Sequence, residues 1–376
     1  MENGVKITNV QAIILRQPEM DVSKADGSQD ALMIRIETDA GITGFGEVDS
    51  LPPVVQAIVD APPSHAIASG LGHLLLGENP LEIDRLWHKL YRGSIYYGRQ
   101  GPAIHALSGI DIALWDIKGK ALGQPIHRLL GGPHRTAIRA YASTLMPDTP
   151  EETADVVAGL VGRGFTAVKL GWGPLGRDAD LDVALVRAAR LAAGDEVDLM
   201  VDIGLGWPNA DHAIRQVRRF EEYRPYWVEE PLWPDDVAGY RKLADAVETR
   251  IACGEEDATR WGFAQLMKRA RVDVIQPDVT RAGGISECVR IAQLAELKGV
   301  AMVPHAWSTG IIKAATLHLI GAMANATFLE YCVQETALNQ LLTIERFPVV
   351  DGMVALPDRP GLGIEIDEDV VRRYAV

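Results

Sequence analysis

Cysteine is scarce in this chain. The three present, Cys253, Cys288 and Cys332, are far apart and include no CxxC pair, so the sequence carries no disulfide framework and suits a reducing cytoplasm with buried thiols. Positive charge is also short: 37 Lys and Arg stand against 51 Asp and Glu, a formal net charge of −14. No basic surplus exists to neutralise phosphates, so neither nucleic acid nor an anionic membrane is an expected partner. Long apolar runs are missing. The stretch from Ile311 to Leu329 is broken by Lys313 and His318 and reads as a buried helix running into a strand, not as a membrane span. The start, Met1 to Lys6, has no basic segment leading into an apolar one, so no secretory signal is expected. No short repeat, low-complexity tract or flexible linker interrupts the chain.

What is present is ordinary globular composition over 376 residues, 47% apolar and 23% charged, enough for one large domain and a smaller one. Residues 7–16, 31–38 and 42–47 read as strands, with Asp39-Ala40-Gly41 as the turn between the last two. Helical period follows. Asn79-Pro80 predicts a helix start ahead of the face Ile83, Leu86, Trp87 and Leu90, and a second helix carries Ala106, Leu107, Ile110, Leu114 and Ile117 and ends near Gly123. Residues 1–130 are therefore expected to form an α+β domain. From about residue 137, short apolar runs alternate with amphipathic helices, among them one opened by the capping box Thr149-Pro150-Glu151-Glu152. Eight such runs at 25–30 residue intervals fit a modified (β/α)8 TIM barrel of the (β/α)7β type over residues 131–335. The segment 336–376 holds no further βα unit and is expected to return to the first domain.

The chemistry lies in what ends those runs. Val201 is followed by Asp202, Val228 by Glu229 and Gly254 by Glu255; Pro277 leads to Asp278, Pro304 to His305 and Leu329 to Glu330. Successive steps are 27, 26, 23, 27 and 25 residues, each about one βα unit. Six consecutive strands thus present an ionisable group at the carboxyl end, where barrel active sites are built, and Lys169 does so on the second strand. One acid after a strand is usually a cap or a solvated residue; this regular set is not accounted for that way. Three carboxylates on adjacent strands would repel strongly unless a cation sat among them. Oxygen-only ligands favour a hard ion, Mg²⁺ first. Asp278 would orient His305 and raise its proton affinity, making a general base, and a metal would stabilise the enediolate that forms when a proton beside a carboxylate is removed.

These segments, together with Glu229-Glu230-Pro231, Gln276-Pro277-Asp278 with Gly283-Gly284, Gly109 to Asp116 and Pro360-Gly361-Leu362-Gly363, resemble the enolase superfamily, mandelate racemase subgroup. The resemblance implies that Asp202, Glu229 and Glu255 bind Mg²⁺, that Asp278 and His305 form a base dyad, and that Lys169 and Glu330 meet the substrate carboxylate or enediolate. It also implies a capping domain whose loops near 17–30 and 48–70 close over the site, and a homo-oligomer built from dimers, a tetramer or octamer. The pattern departs at two places. Relatives with two bases carry Lys-x-Lys after the second strand, whereas Gly171 stands at the second lysine position, which speaks against racemisation. Some dehydratases have a histidine two residues after the first metal ligand, where this chain has Gly204. The stretch Lys169 to Pro174 is similar to that of L-rhamnonate dehydratases, so syn dehydration of a mono-acid sugar to its 2-keto-3-deoxy product is the expectation. Alternatives are a lactone or diacid cycloisomerase and, from a different class, a non-catalytic binding homologue. Trp172 and Trp207 are weighed as pocket or packing residues, Arg281 as a support of the site, and Tyr96, Tyr97 and Arg99 as an interface with the barrel.

Overall fold

The structure, a computed structural model, describes residues 5–65 and 67–376; most of the N-terminal segment read for a secretory signal, Met1 to Gly4, and Ala66 in the 48–70 loop lie outside the described residues. Three strands, β1 (Ile7–Arg16), β2 (Asp30–Thr38) and β3 (Thr43–Val48), form an antiparallel sheet. Its turn at Gly41 takes a left-handed φ of 72°, which glycine adopts at little cost. Helices α1 (Pro52–Asp60), α2 (Leu71–Leu75) and α4 (Pro102–Leu122) pack on the sheet, and α3 (Ile83–Gly93) packs against α2 and α4. Close approach is built in: a Cβ on Gly46 would come 1.9 Å from the Gly109 carbonyl oxygen of α4. The start of α3 falls three residues later than Asn79-Pro80 suggests, because Asn79 spends its side chain on a turn, its Oδ1 accepting from the Leu81 N–H. The expected loop 48–70 is partly helical, as α1 occupies its middle.

After the short α5 (Ile126–Leu129) the barrel begins. Its strands and helices run β4 (Ala137–Leu145), α6 (Pro150–Gly162), β5 (Ala167–Gly171), α7 (Ala179–Ala193), β6 (Asp198–Asp202) and α8 (Ala210–Phe220). They continue β7 (Trp227–Glu229), α9 (Val237–Ala244), β8 (Arg250–Cys253), α10 (Thr259–Arg269), β9 (Val274–Ile275), α11 (Gly284–Lys298), β10 (Ala301–Met302), α12 (Gly310–Ala322) and β11 (Phe328–Cys332). The eight strands run parallel in the order β10-β9-β8-β7-β6-β5-β4-β11, and an isolated parallel bridge from Met302 to Ala326, two residues before β11, closes the ring. Several helix starts obey the capping rule: Thr149 accepts from the Glu152 N–H at 3.2 Å and Asp178 from the Leu181 N–H at 2.8 Å. The eighth unit has only the five-residue α13 (Ala337–Leu341) after its strand. Beyond it β12 (Met353–Ala355) pairs antiparallel with β4, and α14 (Glu368–Tyr374) reaches the first domain, where Glu368 bonds Arg35 and the Val376 N–H donates to the Ile14 carbonyl. No helix among the described residues is long and apolar enough to cross a membrane.

Candidate active site

Every ionisable residue picked out at the strand ends is brought to one cavity or its wall. Side chains alternate along a strand, so position and parity decide what faces inward. Asp202 and Glu229 are register partners across β6 and β7, which puts their carboxylates side by side. Glu255 follows β8 after Gly254. The three residues are buried, and one oxygen from each lies within 4.8 Å of the others. Burial pushes the Asp202 and Glu229 carboxyls up, and each is pushed further by acidic neighbours, against the pull of Lys169. Such a cluster is costly unless positive charge is supplied.

Lys169 supplies some of it. Its ammonium bonds Glu229, sits 2.8 Å from Glu330 Oε1 and lies 3.9 Å from Asp202 Oδ2. Burial alone would strip its proton; the Glu229 and Glu330 carboxylates override that and hold it charged. Glu330 is in turn held down to about 2 against its burial, chiefly by Lys169 and His305. Ser143 Oγ donates to Glu330 Oε1 at 2.7 Å, and the Ala306 N–H donates to Oε2 at 2.8 Å.

His305 Nδ1 lies 2.6 Å from Asp278 Oδ2. A carboxylate can only accept there, so the Nδ1 proton faces Asp278 and Nε2 faces the cavity. Nε2 is 3.6 Å from Glu255 Oε2 and 3.9 Å from Glu330 Oε2. Burial opposes a charge on His305, but Glu255, Glu330 and the Asp278 bond outweigh it and push the imidazole up to about 10. Asp278 is fixed by Thr280, whose N–H and Oγ1 both reach Oδ1 at 2.6 Å.

The first domain closes the site. Trp307 Nε1 donates to Asp26 Oδ1 at 3.2 Å, and Thr336 Oγ1 to the Ser28 carbonyl at 2.9 Å. Asp49, at the end of β3, lines the cavity and binds Arg281 Nη2 through Oδ2 at 2.7 Å. Arg281 stands 3.5 Å from Glu255 and 3.9 Å from Asp278, so it joins cap, triad and dyad. Arg281 is legible in the sequence, whereas Asp49 is not. An acid ending a strand was the available signal, on a strand outside the barrel rhythm.

The enclosed space is about 170 Å³. Trp172, at a left-handed φ of 59°, lines it. A Cβ on Gly171 would meet the Asp202 Cβ at 2.6 Å, and one on Gly204 would meet the Trp172 ring at 2.6 Å. Both positions where relatives carry a second acid-base group, 171 and 204, are therefore filled by neighbours. Trp207 packs instead, buried, with Nε1 donating to Asp182. Tyr96 and Tyr97 are exposed, and the Tyr97 hydroxyl donates to the Ser69 carbonyl within the first domain; they are not the barrel interface that was expected.

Residues 5–131 match the family described as mandelate racemase / muconate lactonizing enzyme, N-terminal domain, and residues 152–370 match enolase C-terminal domain-like. The chain is 33% identical to a D-galactarolactone cycloisomerase of Agrobacterium fabrum, over 98% of this chain and 99% of that one. It is 37% identical to a D-galactonate dehydratase of Ralstonia pickettii, covering 90% of each. The crystal structure of the 3,6-anhydro-D-galactonate cycloisomerase from Zobellia galactanivorans superposes with a TM-score of 0.90 at 31% identity, over 99% of both chains. By match, fold and coverage, the chain belongs to the mandelate racemase branch of the enolase superfamily.

Proposed function

We propose that the protein removes the proton beside a substrate carboxylate and eliminates the β-hydroxyl on the same face, converting a mono-acid sugar, an aldonate, to its 2-keto-3-deoxy acid. The observation that carries this reading is a single base, His305 Nε2, facing a cavity whose other candidate base positions, 171 and 204, are glycines packed against Asp202 and Trp172. Asp202, Glu229 and Glu255 would hold the metal, Mg²⁺ by the hardness of an all-carboxylate donor set, and their close approach inside a buried wall fits a divalent cation. Once bound, that ion supplies charge to the enediolate oxygens and offsets the Glu255 carboxylate that holds the His305 proton.

The chain's own residues do the rest. His305 Nε2 takes the α-proton while Asp278 holds the ring through Nδ1. Lys169 and Glu330, bonded to each other, orient the substrate carboxylate and the enediolate that grows from it. The imidazolium then returns its proton to the β-hydroxyl, the C–O bond breaks, water leaves, and the enol ketonises. Asp26, Trp307 and Asp49 keep bulk water out. One base suffices for this sequence. It also suffices for cycloisomerisation of a sugar-acid lactone, the second reading, which the full-length likeness to two cycloisomerases favours.

Three buried free thiols suit a cytoplasmic protein, and a dimer-based tetramer or octamer is the proposed assembly. The chain divides, in this reading, into a cap over 1–130, a barrel over 131–335 and a returning segment over 336–376. An acid-sugar library assayed with Mg²⁺ tests the function. Dehydration yields 2-keto acid, detected as its semicarbazone. Lactone consumption without 2-keto acid would establish the second reading instead.

A further inference from the structure

Among the described residues two lysines, Lys169 and Lys313, are buried, and their surroundings differ. Lys169 has three carboxylates within 4.0 Å. Lys313, on the first turn of α12 and only 6% exposed, has no carboxylate in that range among the described residues. Its Nζ reaches Asn339 Oδ1 at 3.5 Å and lies 4.1 Å from the centre of the Tyr331 ring. An ammonium offers three protons, and one long contact to an amide leaves most of that capacity free.

The ammonium lines a separate cavity of about 150 Å³, roomy enough for several waters or one small ion. Arg346 stands at its mouth, exposed, with its guanidinium bonded to the Thr343 carbonyl. The acid in the wall, Glu345, is already engaged: Oε1 pairs with Arg359 and Oε2 accepts from the Glu365 N–H at 2.6 Å. The Asn339 amide nitrogen is spent on the Cys332 and Gln334 carbonyls. The cavity therefore presents two cations and no free carboxylate.

We propose that this cavity between α12, β11 and α13 is a binding site for a small oxyanion, gripped by Lys313 from within and by Arg346 at the mouth. Burial lowers the lysine to about 8, so it is charged at neutral pH, and a bound anion would relieve the cost of that unpaired charge. The cavity lies outside the barrel wall. Tyr331 lines it, whereas Glu330, its neighbour on β11, lines the catalytic cavity. The chemistry is that of phosphate or of a small keto-acid carboxylate, which the same experiment separates.

Thermal unfolding of the full chain with Mg²⁺ is followed as inorganic phosphate or pyruvate is added, at matched ionic strength. Saturable stabilisation is expected for the native chain. The ion that saturates at lower concentration names the ligand source. Lys313→Met should weaken the apparent affinity at least about tenfold, the worth of one charge-assisted contact. Arg346→Met, a surface change that leaves folding intact, should weaken it severalfold. Equal stabilisation of native chain and both variants would place the anion in the catalytic cavity and overturn the proposal. Absence of any saturable effect with either ion would overturn it as well.

Discussion

The barrel interior has two layers made by the same strands, two residues apart. Nearer the strand starts lie Tyr141, Ala167, Met200, Trp227, Val303 and Phe328, which pack together as one apolar cluster. Two positions on, the same strands or their ends carry Ser143, Lys169, Asp202, Glu229, His305 and Glu330. Alternation keeps both sets pointing inward, so a hydrocarbon plug sits directly beneath a layer of ions. The difference between the layers shows how the upper one gains its force. Charges backed by a packed, apolar floor interact at low effective dielectric, and that is why the upper carboxyls and His305 sit so far from their ordinary protonation. The floor is not wholly inert. Trp227 Nε1 donates to Glu229 Oε2 at 2.7 Å, and the Tyr141 ring lies 5.6 Å beneath the Lys169 ammonium.

The sharpest way to break the upper layer while sparing the lower is His305→Asn. It removes the proposed base but keeps a side chain able to bond Asp278. Exchange of the α-proton in D₂O should fall by about 10³-fold or more, while the stabilisation conferred by Mg²⁺ stays near that of the native chain. Exchange at an unreduced rate would remove His305 from its assigned role.

Lys169→Met tests the charge balance of the same layer. In EDTA, the buried Glu229 and Glu330 would lose their cation, and unfolding free energy at pH 7 should drop by about 3–5 kcal/mol. The pH dependence has a defined sign. Glu330 is held down to about 2 in the folded chain, so its contribution is complete above its unfolded value near 4.5 and is lost as pH falls toward 2. The gap between native chain and variant should therefore narrow below about pH 4.5. A gap independent of pH in denaturant titrations would refute the Lys169–Glu330 pairing.

Legibility in the sequence followed the same division. The upper layer was visible because an ionisable residue ends or follows seven of the eight strands at about the interval of one βα unit, and Lys169, Asp202, Glu229, Glu255, Asp278, His305 and Glu330 all arrive at one place. The lower layer was not read, since Trp227 looks like any residue of an apolar run until the inward parity of β7 is known. Residues that depend on long-range docking were also out of reach. Asp49 meets Arg281 across 232 residues of chain, and nothing local to Asp49 announces the encounter. The expectation for Tyr96 and Tyr97 erred because aromatic residues between two helices were assigned to an interface, whereas the chain there turns to solvent.

The smallest effect is expected where the two layers touch. Trp227→Phe keeps an aromatic ring against Tyr141 and Phe328, so the floor remains apolar and filled, with Trp227 now edge-on to both at 83°. It removes one donor from Glu229 Oε2, a buried oxygen with no solvent to turn to. Leaving that lone pair unmet should cost about 1–3 kcal/mol in metal-free protein. Mg²⁺ would restore part of the loss by meeting the same carboxylate, so the variant's stability deficit should shrink as the ion is added. Chemical denaturation with and without Mg²⁺ reads both quantities. A deficit unchanged by the ion would mean that Trp227 serves the floor alone and that its bond to Glu229 carries no weight in holding that carboxylate for a metal.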